Sequence, residues 1–125
     1  MDKHHIILAL GSNHHADTNI PRAISILGRG MVEMTISTPL CNPAIGISAP
    51  DFTNCIISAF TDMDIETLTL FVKETEREIG RTSKDKQRGL ITIDIDIMQF
   101  DKQRYHHDDW QRPYVIAGLM ELSLK

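Results

Sequence analysis

Apolar residues in this chain follow two rhythms. His5 to Leu10 is a continuous apolar run of strand length that stops at Gly11-Ser12-Asn13, the pattern of a strand buried on both faces. Val32 to Ser37 alternates, with Val32, Met34 and Ile36 opposite Glu33, Thr35 and Ser37, which predicts a strand with one wet face. Phe52 to Phe60 predicts a third strand, with Phe52, Asn54, Ile56, Ser58 and Phe60 on one face and Cys55, Ile57 and Ala59 on the other. Ile91 to Met98 alternates most strongly, so that Ile91, Ile93, Ile95 and Ile97 point inward and Thr92, Asp94 and Asp96 share the opposite face. The helical rhythm appears twice. Ile20, Ala23, Ile24 and Leu27 predict a helix that starts near Thr18 or Asn19, with Pro21 in its first turn and Gly28 at its end. Ile65, Leu68, Val72 and Ile79, with Phe71 beside them, predict a second helix that Gly80 stops in the left-handed conformation.

A short closing helix from about Arg112 to Leu122 is expected to pack Ile116, Leu119 and Met120. Thr38 to Asp51 holds Pro39, Pro43, Gly46 and Pro50 and reads as one long loop. Arg81 to Gly89 reads as a basic, flexible loop with Lys84, Lys86 and Arg88, and Asp101 to Trp110 as a polar one. The order is strand, helix, strand, strand, helix, strand, then a small helix. Two strand-helix-strand units in tandem predict an α+β, ferredoxin-like sandwich, a βαββαβ antiparallel sheet with helices on one face plus the C-terminal helix.

Composition narrows the picture. The 125 residues are expected to form a single domain over 1–125, and 42% hydrophobic with 24% charged residues excludes disorder and fibrous repeats. No apolar run reaches the ~20 residues of a membrane span. A formal charge of −4 and a pI of 5.8 leave no footprint for nucleic acid or an anionic membrane. A polyanionic substrate therefore needs local cations or a metal ion. Cys41 and Cys55 have neither metal nor redox spacing and read as free thiols in a reducing, cytoplasmic setting.

Three groups of residues could carry chemistry. Asp94 and Asp96 stand on one strand face about 6.5–7 Å apart at the Cα atoms, and no local cation neutralises them. They are either a solvated strand face or a seat for a divalent cation such as Mg²⁺, which takes one or two carboxylates with waters and phosphate oxygens. Phe52 and Asn54 place an aromatic plane beside an amide, either as core and edge residues or to stack on and hydrogen-bond a flat heterocycle. His106 to Tyr114 combines imidazole, guanidinium and phenol within nine residues, and Arg suits phosphate oxygens. The histidine pairs do not converge well on one zinc ion and lack a cysteine partner at ligand spacing.

Taken in order, Leu8-Ala9-Leu10-Gly11-Ser12-Asn13, Pro50-Asp51-Phe52-Thr53-Asn54, Gly80-Arg81, Asp94-Ile95-Asp96-Ile97-Met98 and His106 followed by Arg112-Pro113-Tyr114 resemble the 6-hydroxymethyl-7,8-dihydropterin pyrophosphokinase family over nearly the whole chain. The resemblance implies Mg²⁺-dependent transfer of pyrophosphate from ATP to the pterin's hydroxymethyl oxygen, with release of AMP, in folate biosynthesis. It implies Asp94 and Asp96 as metal ligands, and Phe52 and Tyr114 as plates around the pterin. Asn54 would read the ring's edge, and Asn42, Pro43, Ala44 and Ile45 would line its pocket. Glu76, Lys84, Arg88, His106 and Arg112 would contact ATP, and Arg81 belongs to a loop that closes over the phosphates. The implied partners are the two small molecules, without nucleic acid or membrane, for a chain acting as a monomer or a dimer.

The sequence departs from the family pattern at Ile91, where the family has an arginine, at Ser83, and at Arg88, where it has an aromatic residue. The Phe100 to His106 connection is also short, and the family's C-terminal extension is absent after Lys125. These departures keep open a divergent paralogue that binds pterin or nucleotide with weak or no transfer. An RNA-binding module on the same fold is disfavoured by the acidic balance and by the absence of exposed aromatic residues on the paired strands.

Overall fold

The computed structural model describes residues 3–42, 51–80 and 90–123. Along the chain run β1 (His4–Ser12), α1 (Ala16–Leu27), β2 (Val32–Ile36), β3 (Leu40–Asn42), β4 (Phe52–Thr61), α2 (Ile65–Ile79), β5 (Asp94–Phe100) and β6 (Gln103–Arg104). A short 3-10 helix (His107–Gln111) and α3 (Pro113–Ser123) follow. Among the described residues the strands form one antiparallel sheet in the order β2-β4-β1-β5-β6, with β3 beside the start of β4. The four longer strands thus lie second, third, first, fourth, which is the expected ferredoxin-like α+β arrangement.

β1 is central because both its faces are apolar. Ile6, Leu8 and Leu10 are fully buried against α1 and α2, with Cys55, Ile57 and Ala59 of β4 and Ile93 and Ile95 beside them. Ile7 and Ala9 look the other way and pack with Ile56, Met98 and Val115 under α3. The closing helix therefore covers the sheet face opposite the two longer helices. α2 is the element the apolar period described best: Asp64 caps it by accepting from the Thr67 N–H at 2.8 Å, and Gly80 ends it with φ 103°.

Several expectations need correction. α1 begins at Ala16, because left-handed His15 (φ 49°) offers its carbonyl to the N–H groups of Thr18 and Asn19. Pro21 consequently lies inside the helix rather than in its first turn. In β2 the register shifts between Val32 and Thr35, and Glu33 is left-handed at φ 55°. The extra residue puts Val32 out of step with Met34 and Ile36, leaving Val32 47% exposed while those two still pack against the core, and Ser37 is buried with its hydroxyl accepting the Ile56 N–H at 2.8 Å. β5 starts at Asp94 instead of Ile91, since Ile91 is held by Asn13 rather than by a sheet ladder. α3 buries Val115 and Gly118, whereas Ile116 and Met120 are exposed. The loop expected over 38–51 contains β3, the one expected over 101–110 contains β6 and part of the 3-10 helix, and residues 43–50 and 81–89 lie outside the described set. Among the described residues, no helix is long and apolar enough to cross a membrane.

Candidate active site

Strand register assembles the candidate residues. Gly11 of β1 stands opposite Asn54 of β4 on one side and Asp94 of β5 on the other. One pair further along, Ala9 stands between Ile56 and Asp96. β3 extends the first row, with Leu40 opposite Asn54, and sets Asn42 opposite Phe52. Paired residues share a sheet face, so Phe52, Asn54, Asp94 and Asp96 are on the α3 side, with the small buried residues Ala9 and Gly11 between them on β1. Neighbouring strands lie about 4.8 Å apart, which puts the Asn54 and Asp94 backbones roughly 10 Å from each other.

The Gly11-Ser12-Asn13 turn fixes where β5 enters this row. The Asn13 N–H donates to the Ile91 carbonyl at 3.0 Å, and the Ile91 N–H donates to Asn13 Oδ1 at 2.6 Å. Ser12 Oγ donates to the His14 carbonyl at 3.0 Å. Ser12 and Asn13 are both buried, so this clasp is shielded from competing water. It delivers Asp94 beside Gly11.

The two carboxylates crowd one another. Burial, the charge of Asp94, a hydrogen bond shared with Asp94, and then the charges of Asp109 and Glu76 push the Asp96 carboxyl up from 3.8 to about 7. Like charges crowded in a partly desolvated place retain a proton that one of them would ordinarily release. His106 Nε2 lies 3.9 Å from Asp96 Oδ1, and His106 itself is left-handed (φ 54°) at the start of the 3-10 helix. Arg112 Nε donates to Asp109 Oδ1 at 2.7 Å, which holds the Arg112 pKa above its ordinary value. The Tyr114 phenol is raised by burial and then by Asp109, opposed by Arg112, with smaller upward effects from Asp96 and Asp94. Tyr114, Arg112, His106 and the acid pair therefore share one electrostatic neighbourhood.

A cleft of about 340 Å³ opens between α2 and the exposed edge of β5. Ile65, Thr69, Val72, Lys73 and Glu76 line it from α2, Asp94 to Ile97 from β5, and Tyr105 and His106 from the following segment. Glu76 Oε2 accepts the Ile95 N–H at 2.8 Å, so the helix grips the open strand edge while its carboxylate faces the cleft. Sequence reasoning missed Thr69, Lys73, Ile97 and Tyr105 as lining residues. The 69, 73, 76 spacing of one helical face was the available signal. Arg104, by contrast, places its guanidinium 4.0 Å over the Trp110 ring.

Among the described residues no group of three or more His, Cys, Asp or Glu side chains could hold a metal ion. The Asp94–Asp96 pair offers two hard oxygen donors, which fits Mg²⁺ completed by water and phosphate oxygens and does not fit zinc. Pro43, Ala44, Ile45, Arg81, Lys84 and Arg88, all implied site residues, lie outside the described residues, and of Asn42 only the backbone is described.

The class is thus an α+β domain with a ferredoxin-like sheet that joins a two-carboxylate patch to a ligand-sized cleft. The sequence model of the 7,8-dihydro-6-hydroxymethylpterin-pyrophosphokinase (HPPK) family matches residues 7–124, and the chain belongs to that family. It is 29% identical over 128 residues to the mitochondrial folate synthesis bifunctional protein of Pisum sativum and 27% identical to the folate synthesis bifunctional protein of Arabidopsis thaliana. Each match covers 94% of this chain, which spans about a quarter of the length of these curated relatives (25% and 26%). The family takes its name from a pyrophosphokinase activity, a class of transfer reaction.

Proposed function

We propose that this chain transfers the pyrophosphoryl group of ATP to the hydroxymethyl oxygen of 6-hydroxymethyl-7,8-dihydropterin, releasing AMP, as a step of folate synthesis. The observation that carries this reading is the crowded Asp94–Asp96 pair, in which the Asp96 carboxyl is pushed up to about 7, with Asp94 in one sheet row with Asn54 and both carboxylates lining the α2–β5 cleft. Bound by Asp94, Asp96 and phosphate oxygens, Mg²⁺ would supply neutralisation of the charge on the transferring group. ATP occupies the cleft, with its base toward Ile65, Ile97 and Tyr105 and its phosphates toward the carboxylates. Lys73, on the same helical stripe, gives the polyphosphate a cation, and His106 and the terminal amino groups of Arg112 hold its oxygens. The ring of the pterin lies between Phe52 and Tyr114, with its edge on Asn54. Asn42, Pro43, Ala44 and Ile45 complete the ring pocket. Arg81, Lys84 and Arg88 supply cations to the phosphates.

Transfer of this kind depends on positioning and charge stabilisation more than on covalent catalysis by the protein. The pterin oxygen attacks the β-phosphorus, the bond from that phosphorus to the bridging oxygen breaks, and AMP leaves with the electron pair. The free thiols, exposed Cys41 and buried Cys55, suit a reducing, cytoplasmic compartment. The competing reading, a pterin- or nucleotide-binding protein with weak or no transfer, is favoured by position 91: its backbone is clasped by Asn13, but its isoleucine side chain brings no cation.

AMP release from ATP with and without the pterin, together with calorimetry of pterin binding, separates the two. Pterin-dependent AMP formation is the expected result. Pterin binding with AMP release at the rate without protein would leave only the binding reading.

A further inference from the structure

Gly11 occupies the middle of the row that joins the ring pocket to the acid pair, opposite Asn54 and opposite Asp94. A Cβ built on it would lie 2.7 Å from the Asn54 amide nitrogen, 3.9 Å from Asn54 Cγ and 3.7 Å from Phe52 Cδ1. The last two are ordinary contacts, but the first is well inside van der Waals contact. The Asn54 amide therefore rests in the space that any other residue's side chain would fill.

Backbone conformation gives glycine no reason to be here. Among the described residues Gly80 is the glycine with positive φ, and Gly11 is an ordinary strand residue. In a central strand glycine is conformationally costly and contributes no packing. What a methyl group would disturb is the far end of a side chain that turns about single bonds, while the strand itself has room. We infer that Gly11 is a positioning and specificity-determining residue: its missing Cβ seats the Asn54 amide against the sheet, aligned with the edge of a flat ring lying over β1. The inference rests on the proposed pterin pocket and selects a heterocycle whose edge presents a donor beside an acceptor, the pattern an amide answers.

The test is a double-mutant cycle on the whole chain with G11A, N54A and G11A/N54A. It reads dihydropterin affinity and ATP-analogue affinity by calorimetry, the Asn54 side-chain amide signal by NMR, and the thermal midpoint. G11A is expected to shift the Asn54 amide signal and weaken the pterin about tenfold, as for a lost hydrogen bond. ATP-analogue affinity and midpoint should stay near wild type. In the N54A background, where the amide is gone, the same substitution is expected to change pterin affinity by less than about twofold. Additive losses, or a G11A chain with wild-type affinity and an unmoved amide signal, overturn the inference. If G11A unfolds while G11A/N54A folds, the collision with Asn54 is upheld; if both unfold, glycine serves the strand and the inference fails. A wild-type chain that does not bind the pterin instead defeats the pocket reading, and the NMR arm still reports whether Gly11 seats the amide.

Discussion

The two faces of the sheet are built from the same strands and do opposite things. Toward α1 and α2, β1 presents Ile6, Leu8 and Leu10, β4 presents Cys55, Ile57 and Ala59, and all six are buried. Toward α3 the same strands present Ile7 and Ala9 with Ile56 at one end, then Gly11, Asn54, Asp94 and Asp96 at the other. The first face is covered from end to end. The second is covered where Val115 and Leu119 pack, and its acid pair lines the cleft at the β5 edge. Burial stabilises the first face, whereas the second holds like charges close enough to retain a proton. One face carries stability and the other gives some of it up for chemistry.

Substitutions can break that contrast, beginning with the largest effect. Asp96→Ala should cut pterin-dependent AMP formation by about a thousandfold, as expected when a transferring phosphoryl group loses a metal-binding carboxylate. The same change should raise the thermal midpoint of the ligand-free protein, because it removes repulsion. A lowered midpoint with full turnover would reverse the assignment of the two faces. Leu8→Ala, on the packed face, should cost roughly 2–5 kcal/mol of stability and leave KM for both substrates unchanged in the fraction that remains folded, as checked by urea melts and steady-state kinetics.

A smaller effect comes from pH. The Asp96 carboxyl is raised in the folded chain, so its contribution to stability is complete below its unfolded value near 3.8 and is lost as pH rises toward about 7. The ligand-free midpoint should therefore fall as pH rises from about 4 to about 7 and level off above that, and D96N should flatten the fall. Equal slopes in both proteins would assign the pH dependence to other groups. Smallest is the removal of the α2 cap: Asp64→Ala should lower the midpoint by a few degrees and leave AMP formation untouched.

Much of the fold was legible. The apolar run of β1 announced a central strand, and the 3.6-residue period with Gly80 announced α2 to within a residue at each end. Where a pattern misled, a contact decided. Val32 reads as inward, but a bulge at Glu33 puts it out of step with Met34 and Ile36. Ile91 reads as strand, but Asn13 binds its backbone first. Ile116 and Met120 read as the packed stripe of a helix that is apolar on nearly every side, and only docking against Ile56 and Met98 selected Val115 instead. Of the site, Asp94 and Asp96 could be paired from alternation alone, since side chains two apart on a strand share a face. Thr69, Lys73 and Tyr105 could not be found that way, because they meet the acid pair only across an interface.

Local rules depend on periods of two and 3.6 residues, and these the order of residues settles without help: which segments are strands, which are helices, and which side chains leave together. Joining Asn54, Gly11 and Asp94, residues up to 83 positions apart, is a matter of strand register, and register is chosen by the whole core at once. The composition of this chain contains the acid pair; only the packed sheet sets an amide, a missing Cβ and a carboxylate in one line.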